Sequence, residues 1–417
     1  MTAFGGSQGY QGYQGYQGYQ GYQGYQGYQG YQGFGSLIVP GADPNVSFAL
    51  TSSREELVQG RVVLPWQPVR NKDLPPIHDI LRQDDWADDI RVENCVTELM
   101  QPLQLGVSDK GVFSLCHRVP RLSGSGKWTV EDCRVVEVSR PPVQLFEAQT
   151  QQVFDMSDLR SERMAEIVAQ IGIPMQFWAS IVDLNSSDKP RTLELLTIAL
   201  QCLSHVNQFA KHAFGCPRPT AYSPSIQPMI NPRRFGAFPC GHGAEAFLVA
   251  RLLQELSGQE PFIPNAYDNF GNRKEYALRQ QLQRLAKRIS DNRVVAGVHF
   301  QIDNVVGRMV GETVAEYVLH RCKGGGWQAR KFVGKETMLP KGKGPRPELL
   351  KDFDRHQPMD QRNPKQQKLA PYFVPVAYET PTKDFVIDQS PIKDPAKRVT
   401  LMNRAWDRAI DEWAAWR

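Results

Sequence analysis

Apolar positions recur at three- and four-residue steps over much of the second half of the chain, and this spacing predicts helices. The clearest runs from Pro190 to Phe214: Leu193, Leu196, Leu200, Leu203 and Val206 line one face, and proline sits in the first turn after a capping region at Ser187-Asp188. Further helices are predicted over Ser157 to Gln170, Gly243 to Leu256, Lys274 to Val295 and His299 to His320. Consecutive helices with short joins pack as a bundle, placed here at residues 146–325. Residues 36–145 lack the helical period and read as irregular, with a few strands such as Val62 to Leu64, Gly111 to Leu115 and Arg134 to Val138. Residues 326–417 read as a Lys/Pro/Gly-rich loop to about Leu369, a short apolar piece from Tyr372 to Val376, and a Trp-rich helix from Pro395 to Trp416 that packs back by its tryptophans.

The first 35 residues follow a different pattern. Residues 9–32 are eight copies of Gly-Tyr-Gln. A period of three with no proline and a bulky tyrosine in every triplet is not collagen, and a segment without aliphatic residues cannot offset its ordering entropy by building a core. Residues 1–35 are therefore expected to be a disordered tail, with self-association through tyrosine contacts as the other reading of that composition.

Composition changes the picture mainly by exclusion. The 417 residues carry 49 Lys+Arg against 44 Asp+Glu, a net charge of +5 that is spread along the chain; a nucleic-acid binder concentrates its basic charge, so no nucleic-acid partner is expected. Seven cysteines in no CxxC pair suggest neither a disulfide framework nor a zinc knuckle. With no signal pattern and no apolar run of about 18 residues, a cytoplasmic protein without a membrane span is expected.

Three segments inside the predicted bundle hold the candidate chemistry: Lys211 to Pro219, with Arg218 locked between prolines; Pro239-Cys240-Gly241-His242; and Asn292 to Asp303, with Arg293, His299 and Asp303. A lysine and an arginine near a helix end are ordinarily solvated, and a lone histidine is ordinarily structural. Together these segments supply three cations, two histidines, a carboxylate four residues from one of them, and a small-residue turn at a helix start. Helix-start N–H groups attract an anion, Gly241 lets it approach the backbone, and Lys211, Arg218 and Arg293 neutralise it. Asp303, taken to lie on the same helical face as His299, can accept from one ring nitrogen and leave the other unprotonated. His242 is then the candidate acid or base. Cys240 is open to three readings: nucleophile, metal ligand, or a quieter contact. A tyrosine-phosphatase-type loop needs arginine six residues after the cysteine, and position 246 is Ala.

In order and spacing the segments resemble Lys-x6-Arg-Pro, Pro-Ser-Gly-His and Arg-x5-His-x3-Asp, the signature of the superfamily that joins type 2 phosphatidic acid phosphatases, class A acid phosphatases and vanadium-dependent haloperoxidases. The wider similarity spans roughly residues 150–320 and is nearest to the soluble bacterial haloperoxidase-like branch. The resemblance implies a mainly α fold, a helical bundle of the haloperoxidase/acid phosphatase type with short strands outside it. It implies that Lys211, Arg218 and Arg293 bind an oxyanion, Gly241 is a backbone donor, His242 the acid or base, His299 the residue bonded to vanadium or phosphorus, Asp303 its orienter, and Phe235 a lining residue of the halide pocket. Cys240 stands where the family has serine, a weaker oxyanion donor and a thiol that peroxide attacks unless it is shielded or of high pKa. The first expectation is a haloperoxidase holding vanadate on His299 and using hydrogen peroxide and halide. The second is a phosphohydrolase that forms a phosphohistidine at His299 and needs no cofactor. The third is a non-catalytic oxyanion-binding scaffold assembled through the tail. By analogy with the haloperoxidase branch, a homo-oligomer is expected.

Overall fold

The structure, a computed structural model, describes Leu74 and residues 79–122, 127–173, 175–232, 234–258, 277–334, 373–379 and 400–414. The Gly-Tyr-Gln repeats and the strand expected at Val62 to Leu64 lie outside the described residues. The chain divides between Trp86 and Ala87. Of the first unit, the described part is a 3-10 turn, Ile80–Asp85, started by Asp79, whose side chain accepts from the Leu81 N–H at 3.0 Å.

The second unit begins with helix α1, Asp88–Met100, and continues through strands β1, Leu103–Val107, β2, Val112–Leu122, and β3, Trp128–Ser139. Helices α2, Val143–Asp155, α3, Arg160–Ala169, and α4, Met175–Val182, lead to the long α5, Pro190–Phe214. Then come α6, Gly241–Leu256, α7, Ala277–Val295, α8, Gln301–Lys323, strands β4, Trp327–Phe332, and β5, Phe373–Glu379, and finally α9, Leu401–Asp411. The fold is mainly α, as expected, with one mixed sheet.

The sheet runs in the order β1-β2-β3-β4-β5, antiparallel except for the parallel pair β3 and β4. β2 alternates as a half-buried strand should: Phe113, Leu115, His117 and Val119 turn inward while Ser114, Cys116 and Arg118 do not. A register shift sets Leu115 opposite Val136 and Cys116 opposite Arg134, leaving Val135 as the extra residue of a bulge. The strands are longer than the sequence pieces that announced them. β3 and β4 also lie against α8, and β1 and β2 against α5, so one hydrophobic core runs from Val92 to Trp413 through both sheet and bundle.

Of three differences from the sequence reading, two share a cause. α1 falls in a region expected to be irregular, and β4 in one expected to be loop. The buried stripe of α1 is Arg91, Val92, Cys95, Glu98 and Leu99, and β4 buries Gln328 and Arg330; charged residues inside a buried face erase the hydrophobic period. Each is paired: Arg91 with Glu194 at 3.0 Å, Arg330 with Glu316 at 2.8 Å. The third concerns the start of α5. Ser187-Asp188 does not cap it; the Glu412 carboxylate takes the N–H groups of Arg191 at 2.7 Å and Thr192 at 2.8 Å. α9 does pack back by its tryptophans, with Trp406 and Trp413 buried and the Trp413 indole N–H donating to Thr192 Oγ1 at 2.8 Å. No helix among the described residues is long and apolar enough to cross a membrane.

Candidate oxyanion site

α6 begins at Gly241, with Cys240 as its N-cap. The Cys240 sulfur accepts from the Gly243 N–H at 3.4 Å, and the Cys240 N–H donates to the Asp303 carbonyl at 2.9 Å. That bond ties the turn to the first turn of α8. Two glycines of α8 make the approach possible: a Cβ at Gly307 would lie 2.5 Å from the Cys240 carbonyl oxygen, and one at Gly311 2.1 Å from that of Ala244. Among the described residues the N–H groups of Gly241 and His242 have no acceptor, which leaves two donors and the positive end of the α6 dipole facing out of the turn.

Three cations surround this turn. Lys211, from the last turn of α5, is buried and donates to the carbonyls of Gly236 at 3.2 Å and Ala237 at 3.1 Å; burial and the neighbouring Arg218 lower its pKa to about 8. Arg218 donates to the carbonyls of Val298 at 2.8 Å and Phe235 at 3.3 Å. The Phe235 ring lies 5.3 Å from the lysine ammonium and 5.2 Å from the Arg218 guanidinium, a cation–π contact with both. Arg293, at the end of α7, is buried; Nη2 donates to the Ile167 carbonyl at 3.2 Å and to Gln170 Oε1 at 3.3 Å, whereas Nε and Nη1 are buried with no partner among the described residues. Desolvation brings its pKa down to about 10. An orphaned guanidinium edge in a folded interior is costly, and an anion is the group that relieves it.

His299 lies two residues before α8 rather than within it, because Phe300 is the N-cap. The expected helical face is therefore not what joins His299 to Asp303. Asp303, third in the helix, turns back and accepts from the Phe300 N–H at 2.9 Å while its Oδ2 meets His299 Nδ1 at 3.0 Å. With Nδ1 committed to the carboxylate, Nε2 carries the lone pair and accepts from Arg218 Nη1 at 2.9 Å. Burial, then Arg218 and Lys211, hold His299 well below its usual pKa, and burial raises Asp303 to about 7. His242 places Nε2 3.1 Å from the Ile171 carbonyl, so that nitrogen is the donor, and desolvation with Arg293 nearby lowers its pKa to about 3. Cys240 is fully buried, its thiol pushed up to about 11 by burial.

Three cations, two free helix-start N–H groups and an unprotonated imidazole nitrogen thus converge from α5, α6, α7 and the start of α8. Residues 192–323 match the family model described as the PAP2 superfamily. This stretch is a PAP2 superfamily domain. No curated protein matches the chain. The PAP2 domain contains all eight polar or glycine site residues expected from the sequence, together with Phe235.

The sequence reading did not find what holds these residues from outside the domain. The end of α3 supplies the Ile167 and Ile171 carbonyls and the Gln170 side chain. Arg160 ties the loops on either side of the site, donating to the carbonyls of Val295 at 3.0 Å, Gln227 at 2.9 Å and Ile226 at 2.8 Å. Backbone acceptors have no residue signature, and a single glutamine in Ala-Gln-Ile-Gly has none either. Glu245, one turn into α6 with Oε1 3.8 Å from where a Gly241 Cβ would stand, was also overlooked.

Proposed function

We propose that the PAP2 domain works as a vanadium-dependent haloperoxidase-like enzyme, with vanadate held at His299. The donor set fits a tetrahedral oxyanion: the free edge of Arg293, the N–H groups of Gly241 and His242, and the Nε2 lone pair of His299. When bound, vanadate would supply the Lewis acid that activates hydrogen peroxide toward halide, in the net reaction H2O2 + X− + H+ giving HOX + H2O. The chain's own part is charge, orientation and proton handling. Lys211, Arg218 and Arg293 neutralise the anion, and Arg218 must release His299 Nε2 for it to serve as donor atom. Asp303 keeps the proton on Nδ1.

The observation that carries this reading is the setting of His242: its Nε2–H is committed to the Ile171 carbonyl and burial disfavours its charged form, so the ring is held neutral and is not poised to protonate a leaving alkoxide. The sequence objection from Cys240 also weakens, since a buried thiol with a pKa near 11 is neither exposed nor in its reactive form. The second reading, a phosphohydrolase with His299 as nucleophile, draws on the same unprotonated Nε2. Assays of the purified full chain separate them. With orthovanadate, peroxide and bromide, monochlorodimedone is expected to be brominated. Hydrolysis of p-nitrophenyl phosphate with no bromination would decide for the phosphohydrolase.

A further inference from the structure

α3 ends against two residues of the site at once. Gln170, just past its last turn, is fully buried, and its Oε1 accepts from Asn292 Nδ2 at 2.9 Å as well as from Arg293 Nη2 at 3.3 Å. The Ile167 carbonyl meets the same Nη2 at 3.2 Å, and the Ile171 carbonyl holds His242 Nε2 at 3.1 Å. The last carbonyls of a helix lack intrahelical donors and carry partial negative charge, so that of Ile167 suits a guanidinium; the Ile171 carbonyl, two residues past the helix, takes the imidazole N–H. Every contact in this set is neutral. The acidic residue of α3 nearest this end, Glu166, is engaged elsewhere, by Arg288 at 2.8 and 2.6 Å and by Asn292 at 3.0 Å. The carboxylate is thereby spent on α7 one turn before Arg293.

We propose that Gln170 is a positioning residue that fixes the direction of Arg293 without pairing it to a carboxylate, so that the guanidinium edge stays available to an incoming oxyanion. Its amide oxygen and the Ile167 carbonyl hold Nη2, so Nε and Nη1, both buried and without a partner among the described residues, form the edge that the anion meets. The amide nitrogen of Gln170 is likewise buried and unpartnered, a further donor on the same side chain. A carboxylate at position 170 would make a bidentate ion pair with Arg293, as Glu166 does with Arg288, and cancel the charge the anion needs. The neutral amide gives the orientation without that loss. This role rests on reading the site as an oxyanion site and is independent of which reaction follows.

The test is calorimetric binding of orthovanadate and of inorganic phosphate to the full chain, for wild type, Gln170→Glu and Gln170→Met. Gln170→Glu is expected to weaken both anions by about tenfold or more at neutral pH, since it sets a charge against the guanidinium. The deficit should shrink as the pH falls and the new carboxyl protonates. Gln170→Met, of similar length but without the acceptor, loses the bonds from Asn292 and Arg293 yet sets no charge against the guanidinium; it should weaken binding by only about threefold and show no new pH dependence. A purely structural role would move both variants alike and leave the pH profile flat. Wild-type affinity for Gln170→Glu across the pH range would overturn the proposal. If that variant does not fold, as thermal melts would reveal, wild-type affinity for Gln170→Met overturns it instead. Failure of the wild-type protein to bind either anion would sink the oxyanion reading itself, and this role with it.

Discussion

The sulfur of Cys240 stands where a hydroxyl is the better cap. It accepts one long bond from the Gly243 N–H, and its burial and high pKa remove it from nucleophilic chemistry. Of the three readings the sequence left open, a quiet contact is the one its surroundings support. Replacing Cys240 by Ser should strengthen the cap by roughly 1 kcal/mol and keep or raise turnover, read by a thermal melt and a steady-state assay. Complete loss of activity in a folded Cys240→Ser protein would make the thiol the nucleophile after all. At this scale the sequence was informative, because Lys211, Arg218, Gly241, His242, Arg293, His299 and Asp303 are chemistry-bearing types at fixed spacings. Gln170 was not legible: one amide becomes meaningful only when a fold sets it against Arg293.

Among the elements, the contact between α6 and α8 places the anion turn. Gly307 and Gly311 let backbone meet backbone, and the Cys240 N–H reaches Asp303 only at that separation. A methyl at Gly311 would collide with the Ala244 carbonyl, which is backbone and cannot swing away. Gly311→Ala is therefore expected to cost about 1–3 kcal/mol, as overpacked cores do, and to lower anion affinity by separating α6 from Asp303. An unchanged melting temperature and affinity would show that the helices part without consequence. The long helices were legible because their apolar stripes are unbroken; α5 runs from Pro190 to Phe214 as its pattern requires. α1 and β4 were not, since Arg91, Glu98 and Arg330 occupy their buried faces. The link between His299 and Asp303 was correct in its partners and wrong in its geometry: the carboxylate folds back over a helix start instead of lying one turn along a helix.

Across the whole second unit, distant segments complete each other. Glu412 caps α5, whose far end carries Lys211, and Glu98 of α1 accepts the Leu401 N–H at 2.8 Å at the start of α9. Such pairings span hundreds of residues and leave no local trace, which is why the bundle and pieces of two strands were legible while the pairing of the sheet and the closing contacts were not. The PAP2 domain contains the candidate site groups, and α3 with the two residues that follow it, outside that domain, meets Arg293 and His242. The proposed function requires that these groups hold an oxyanion on His299. Equilibrium dialysis with orthovanadate, followed by vanadium analysis of full-length wild-type and His299→Ala proteins, tests it most directly. The expected result is about one vanadium per wild-type chain, displaced by phosphate, and little or none in the variant. Equal vanadium in the two proteins, or none in either, would contradict it.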